Sequence, residues 1–456
     1  NTSDQSQIHL ISQYKSDPRN NIDGAWTTSY SGINRSIRLI DNAKDSDLSD
    51  DKKALFIAEG RAMRAWYYLV LWKTWGNIPF YEENLTSLPY LADQLTVDQV
   101  YEKVVVDLES VLDSEVLPMK QPDEWAGRMT QAAASMIYAD YVMYQKDQSR
   151  YGKALGYMKA IINSHKYDLV KNYNDLYALD KEWNEEIIFD VNYIAKGGKR
   201  TWGDANFTGG TVYPEMIGID GLTIKCAEGH TPEFTSGWGF GSVSKEVYDA
   251  FEDNDRRRDV AILNLDKYAR AKFAEGDTVT YGGRYQNTGY FLRKYLPRPG
   301  DTEGSVGDAG LNHDENLHLY RYAETLLNAA ELALATGDGL AQDYFDLVRE
   351  RAGVASIPVT VDNIINERRL EFVGEGKRYF DLVRSGKAAT VLKAGAGVVL
   401  RTKRTYNFDK NQWEGENTWG GQAIPERVDW TENKKYIPIP QSEIEAAQGS
   451  ITQNPY

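Results

Sequence analysis

Asn363-Ile-Ile-Asn-Glu-Arg-Arg-Leu-Glu-Phe-Val-Gly-Glu-Gly-Lys-Arg-Tyr-Phe-Asp-Leu-Val-Arg384 is the stretch that decides how this chain folds. Ile364, Ile365, Leu370, Phe372, Val373, Tyr379, Phe380, Leu382 and Val383 are core-forming types. Glu367, Arg368, Arg369, Glu371, Glu375, Lys377, Arg378, Asp381 and Arg384 lie between them. Two readings fit. One is an amphipathic helix with a solvated charged face. The other is a helix, a break at Gly374 and Gly376, and a second helical turn held to the first by Arg–carboxylate pairs. Arginine can pair bidentately with a carboxylate, so such charges can be partly buried when every partner is matched. With no nucleophile, no His and no Cys, the stretch reads as an organising centre rather than a reaction site.

Helical periodicity extends upstream of it. Tyr320, Ala323, Leu327, Ala330 and Leu334 predict a helix from His318 that Gly337 ends, and a second follows over 340–351 as a hairpin. At the other end of the chain, residues 1–20 read as an irregular lead-in. Trp26, Tyr30, Ile33, Ile37 and Ile40 step by three and four. Leu55, Ala58, Ala62, Ala65, Leu69 and Trp72 make the stripe of the next helix, whose alanines let a neighbour approach closely. Thr96 and Gln99 form a capping box before a third helix. Further helices are expected over 129–145 and 151–164. Tyr151-Gly-Lys-Ala-Leu-Gly-Tyr-Met-Lys-Ala-Ile161 resembles the second helix of a tetratricopeptide unit, so stacked antiparallel helix pairs are expected.

Between 167 and 312 the helical pattern fades. Short β-type runs appear, such as Ile187-Ile-Phe-Asp-Val191, and a helix is expected near 244–251. Trp202, Phe207, Tyr213, Phe234, Trp238, Phe240, Tyr281, Tyr285, Tyr290 and Phe291 stand among glycines and polar residues and read as exposed. A loop region this long is usually functional. The chain carries 30 Tyr, 11 Trp and 13 Phe, more than an ordinary core needs.

Composition narrows the function classes. Lys and Arg total 52 against 67 Asp and Glu, for a net charge of −15. Phosphate binding needs a basic stripe, so nucleic acid is not an expected partner. Cys226 is the only cysteine, which excludes an intramolecular disulfide. No apolar run is long enough to cross a membrane as a helix. No signal peptide is visible, and a first residue of Asn1 rather than Met reads as processing or truncation.

Catalytic and metal patterns are weak. His313 and His318 lack the zincin spacing, and Glu315 with His318 has the spacing of half a di-iron motif without its second copy. Gly237-Trp-Gly-Phe-Gly241 has no Lys and suits a sugar- or peptide-facing loop better than a phosphate cradle. Asp253-Asn-Asp255 starts like a calcium loop but lacks its Gly and terminal Glu. There is no Gly-x-Ser-x-Gly elbow. No two carboxylates are singled out as a glycosidase pair.

Several stretches together resemble the SusD/RagB family. Ala58-Glu-Gly-Arg-Ala-Met-Arg-Ala-Trp-Tyr-Tyr68 with Trp75-Gly-Asn-Ile-Pro79 is similar to its second helix and exit loop. Leu319-Tyr-Arg-Tyr-Ala-Glu-Thr-Leu-Leu-Asn-Ala-Ala-Glu331 and Val348-Arg-Glu-Arg-Ala-Gly353 resemble two later helices. The opening stretch resembles the family's most recognisable segment, and Ile437-Pro-Ile-Pro440 and Gln453-Asn-Pro455 its closing motifs. The matches come in the family's order across 26–456.

The resemblance implies a mostly α fold with little β: a scaffold of tetratricopeptide-type helix pairs and a large irregular lobe that holds the ligand. Within one SusD-like domain, 1–456, the scaffold is expected over about 26–165, 244–258 and 315–385. The lobe takes about 166–312 and 386–456. The resemblance also implies a non-catalytic protein on the outward face of the outer membrane; no cofactor is expected and no metal-ligating residue is singled out. Its partners would be an oligosaccharide and a SusC-like TonB-dependent transporter. Its membrane attachment would be a lipid anchor missing from this chain. A peptide-binding RagB-like member and a glycan-hydrolysing enzyme are the alternatives.

By the resemblance, the ligand platform points to Trp26, Trp202, Trp238 and Phe240, with Asp23 or Asn206 as polar partners. Core packing is the alternative for each Trp, and Trp26 also fits a helix stripe. The opening stretch becomes a structural clamp, with Arg368, Arg378 and Arg384 facing Glu371, Glu375 and Asp381. The chain departs from the pattern in having only about 25 residues before its first expected helix and in Gly374, where many members carry a bulkier residue.

Overall fold

The computed structural model describes residues 5–204, 209–281, 287–394 and 427–456, and the backbone of four further short strands at 397–400, 405–407, 412–414 and 420–423. A short helix, α1 (Ser6–Ser12), lies within the expected irregular lead-in. Next come α2 (Asp23–Asp45), α3 (Asp50–Trp75), α4 (Val97–Asp113), α5 (Gln131–Gln145) and α6 (Tyr151–Asn163). A two-stranded ladder of β1 (Ile78–Pro79) and β2 (Gln94–Leu95) links α3 to α4.

The sequence stripes are the buried faces of these helices. On α2 they are Trp26, Ile33, Ile37 and Ile40, and on α3 Ala58, Ala62, Ala65, Leu69 and Trp72. The two helices pack closely because small residues stand at their contact. A Cβ on Gly32 would lie 2.3 Å from the Tyr67 ring, and one on Gly60 2.8 Å from Ile40. The expected capping box is present: Thr96 accepts from the Gln99 N–H, and the Gln99 side chain accepts from the Thr96 N–H. α5 is apolar nearly all round and sits inside the bundle. Its Tyr141 hydroxyl donates to the Ala65 carbonyl at 3.0 Å, fixing it on the alanine face of α3.

A second helical set, α11 (Tyr322–Thr336), α12 (Ala341–Ala352), α13 (Val361–Glu371) and α14 (Arg378–Arg384), joins the first through packing of α6 on α11. One large apolar cluster runs through both sets. The closing motifs tie down the end of α3. Gln453 bonds both backbone groups of Ile439, and the Ile437 N–H donates to the Thr74 carbonyl.

Between the sets lie α7 (Tyr213–Ile217), α8 (Lys245–Asp249), α9 (Arg258–Ala261), α10 (Leu265–Ala274) and further two-stranded antiparallel ladders. β3 (Ile187–Val191) pairs with β8 (Leu317–Arg321), β4 (Thr223–Lys225) with β6 (Thr278–Thr280), and β5 (Ile262–Asn264) with β7 (Tyr290–Leu292). Two expectations change here. Residues 318–321 do not begin a helix; they extend to pair with β3, and α11 starts at Tyr322. Phe234, Tyr281, Tyr290 and Phe291 are not exposed, because they belong to two separate small cores between the helical sets. Phe207 and Tyr285 lie outside the described residues.

The opening stretch follows the helix–break–helix reading. Gly374 and Gly376 have φ of 79° and 75°, a region that favours glycine, and separate α13 from α14. Its ion pairs are only partly those expected. Arg368 and Arg384 both hold Asp381. Glu371 and Glu375 instead receive cations from distant parts of the chain. Arg257, Arg321 and Arg351 meet Glu371, and Arg321 with Lys294 meets Glu375. Arg257, Arg321, Arg349, Arg351 and Lys294 balance Asp255, Glu186, Glu367, Glu371 and Glu375 in one buried network. Arg378 is not part of it.

Candidate functional site

The two indoles expected to carry a ligand are neighbours. The ring centroids of Trp202 and Trp238 are 5.4 Å apart with planes inclined by 34°. Phe240 stands edge-on to Trp238 at 6.5 Å. Trp202 is 71% exposed, while Trp238 and Phe240 are half-buried. A large indole left this open is stabilised by no core, so its position depends on the loops beneath it.

The loop carrying Trp238 and Phe240 is fastened to the end of α7. The N–H groups of Gly237, Trp238, Gly239 and Phe240 donate to the carbonyls of Ile219, Glu215, Gly218 and Met216. This backbone contact requires glycine: a Cβ on Gly237 would lie 2.5 Å from the Glu215 carbonyl oxygen and 2.6 Å from the Gly218 Cα. Gly239 and Gly241 take φ of 70° and 63°. The glycines of Gly237-Trp-Gly-Phe-Gly241 thus set the direction of two aromatic rings.

The Trp202 loop is braced from the other side. The Trp202 N–H donates to Asp308 Oδ2 at 2.8 Å. Asn312 Nδ2 donates to the Arg200 and Asp308 carbonyls, and Gly198 accepts from Val306 and Gly307. A Cβ on Gly307 would stand 2.3 Å from the Arg200 carbonyl oxygen, so this contact also excludes a side chain. Asp308, Asn312, Glu215 and Gly307 escape the sequence reading because they act on the rings through backbone groups. Only the glycine spacing signalled any of this.

Other candidates stand elsewhere. Trp26 is 3% exposed, edge-on to Trp75 and beside Tyr30. It lines a cavity of about 430 Å³ with Tyr81 and Tyr90, and its helix stripe, not the platform, accounts for its position. Asp23 is an exposed residue in the first turn of α2. Asn206 lies outside the described residues.

Acidic groups gather around His318. His318 Nδ1 donates to both Asp190 oxygens, 3.0 Å each, and its Nε2 donates to the Leu176 carbonyl, 2.8 Å, which accounts for it structurally. Burial opposes its proton, but Asp190 outweighs that and holds its pKa up to about 9. Burial pushes Glu315 up to about 8, and pushes Glu182 up to about 7 with help from Asp314 and Asp190. Asp314 and Asn316 accept from the Ala195 and Tyr193 N–H groups at the root of the Trp202 loop. Among the described residues no group of three or more His, Cys, Asp or Glu could hold a metal ion, and no helix is long and apolar enough to cross a membrane.

An open, tilted pair of indoles offers a pyranose its preferred surface. Axial C–H groups of a sugar pack on an aromatic face, and the inclination lets successive residues of a curved chain each meet a ring. Nothing in that interaction requires a titrating group.

Comparison with known proteins gives the following. The family described as "SusD family" matches residues 185–456, and one described as "Starch-binding associating with outer membrane" matches 2–140. Surface glycan-binding protein A from Bacteroides thetaiotaomicron, solved in complex with laminarihexaose, is 40% identical. The alignment covers all of this chain and 90% of that one, with a TM-score of 0.86. A laminarin-binding SusD-like protein is 29% identical with the same coverages and a TM-score of 0.83. A SusD-like protein from Bacteroides ovatus is 24% identical over 419 residues, 87% of this chain and 69% of that protein.

Proposed function

This chain belongs to the SusD family, and from that premise we propose that it binds a glycan at the bacterial cell surface on a platform made by Trp202, Trp238 and Phe240. One observation carries the assignment: two indoles face each other at 5.4 Å on loops braced independently, one of them largely in solvent. Laminarin, a β-1,3-linked glucan, is the first ligand to test, since a 40% identical relative is solved with laminarihexaose. The lobe of residues 166–312 and 386–456 holds the ligand in this reading, and the helices hold the lobe. The protein does not cleave what it binds. It hands the glycan to a SusC-like TonB-dependent transporter, beside which a lipid anchor keeps it on the outer membrane.

The test is an affinity gel or calorimetric titration with laminarin. Trp202→Ala and Trp238→Ala should each weaken binding by about tenfold or more, the usual cost of removing a central aromatic contact. Binding unchanged in both variants on a panel of polysaccharides would remove the platform from consideration. Release of shorter products over hours would replace binding by hydrolysis.

A further inference from the structure

Arg368, Arg369, Lys377 and Arg384 of the opening stretch each pair with a carboxylate, while Arg378 makes no ion pair among the described residues. It is half-buried, and its Nη1 is enclosed with no hydrogen-bond partner among the described residues. Burial depresses its proton affinity and the nearby Arg369 adds to the effect, with Asp381 and Glu246 opposing. A buried guanidinium N–H without an acceptor is costly, and native structures rarely keep one without a reason.

Arg378 lines a cavity of about 440 Å³, a volume in the range of small-molecule sites. The walls are apolar and aromatic, with Tyr14, Tyr379, Phe380 and Tyr436 prominent. The charged side chains on it are all cations, in a protein whose net charge is −15. Two of them are already engaged. Lys73 pairs with Asp140 at 2.6 Å, and Arg427 donates to the Ser12 carbonyl over the Tyr14 ring. Lys435 lies over the rings of Tyr144 and Tyr436 at 5.2 and 5.1 Å and makes no ion pair among the described residues. Burial lowers its proton affinity too. None of the residues of the indole platform lines this cavity.

We propose that this cavity is a second binding site, distinct from the glycan platform, for a carboxylate carried on an apolar body, with Arg378 and Lys435 holding the carboxylate and the tyrosine walls holding the body. Arginine meets a carboxylate in a fork that also fixes its orientation. No acidic side chain lines the cavity. The apolar walls require more than a bare anion. The carboxylate can belong to a free acid or to the C-terminal residue of a protein, and the two sources present the same chemistry.

The test uses four probes on the full chain, by calorimetry or saturation-transfer NMR: 3-phenylpropionate, its neutral amide, the peptide acetyl-Gly-Leu-Phe, and that peptide amidated at its C-terminus. Each acid should bind about tenfold or more tightly than its amide, the difference made by a charge-assisted bond. Arg378→Gln should abolish that preference while leaving laminarin binding and the melting temperature unchanged. Lys435→Gln should reduce it several-fold, and so keeps the test open if Arg378→Gln proves poorly folded. Tighter binding of 3-phenylpropionate identifies a free acid as the source, and tighter binding of the peptide identifies a protein terminus. Acids and amides bound alike, no binding of either acid, or a preference indifferent to both substitutions would overturn the proposal.

Discussion

Arg321 shows how much one side chain can be asked to hold. It is 1% exposed and meets Glu186, Glu371 and Glu375 at once. Its charge survives burial because carboxylates surround it, and the same arrangement holds Glu375 down at about 2 and Glu371 well below the usual range. Removing one partner strands the others, which costs about 3–5 kcal/mol for a buried pair. Glu371→Ala should therefore lower the unfolding free energy by about that much in a urea titration. An effect within ~1 kcal/mol would mean that the network relaxes at little cost. Arg378, seven residues further on, is predicted to behave oppositely, because no carboxylate pairs with it among the described residues. Local spacing suggested the same clamp role for both. It could not show that Glu371 and Glu375 turn away from their own segment toward Arg257, Lys294 and Arg321.

At the scale of elements, local signals were read correctly where the interaction is local. The Thr96 capping box and the break at Gly374 and Gly376 each depend on residues within a few positions. Thr96→Ala removes an acceptor from the α4 N-terminus and should cost about 1 kcal/mol, measurable by chemical unfolding. Gly237 acts differently. Gly237→Ala introduces a methyl group against the Glu215 carbonyl and the Gly218 backbone and moves Trp238 off its anchor. It should lower laminarin binding about as far as Trp238→Ala does. Full binding by that variant would show that the loop does not set the ring. An element formed by distant pairing was misread, although its partner Ile187–Val191 was recognised as a β-type run. Residues 318–321 carry a helical pattern, yet β3, more than a hundred residues earlier, draws them into a strand.

Across the whole molecule, the buried titratable groups set a pH window for stability. Glu315 and His318 both bind protons more tightly folded than unfolded. For Glu315 that excess runs from its ordinary 4.5 up to about 8, and for His318 from 6.5 up to about 9. Across those ranges the folded state holds more protons than the unfolded, so stability falls as pH rises. Glu371, Glu375 and Asp381 have the opposite sign: their contribution is present above the ordinary carboxylate range and is lost on acidification. The melting temperature should thus peak on the mildly acidic side and decline toward pH 9. Glu315→Gln should flatten the decline between 5 and 8 in a scanning calorimetry series. A melting temperature that rises from 6 to 9 would contradict the assignment of these two groups.

The amino-acid pattern sufficed for the family, the mostly helical class and the course of the main helices. Those follow from 3.6-residue periodicity, caps and glycine breaks, all of which act within a few residues. It also marked aromatic rings among glycines as exposed, and the resemblance made Trp202, Trp238 and Phe240, together with Trp26, ligand candidates. The same rule named Phe234, Tyr281, Tyr290 and Phe291 as exposed, and tertiary packing turned those four inward. Which aromatics stay in solvent depends on what other segments cover, and which carboxylate takes which cation depends on distances that the order of residues does not contain. The opening stretch combines both cases: its helix and break are local, while the partners that keep its charges buried arrive from four other parts of the chain.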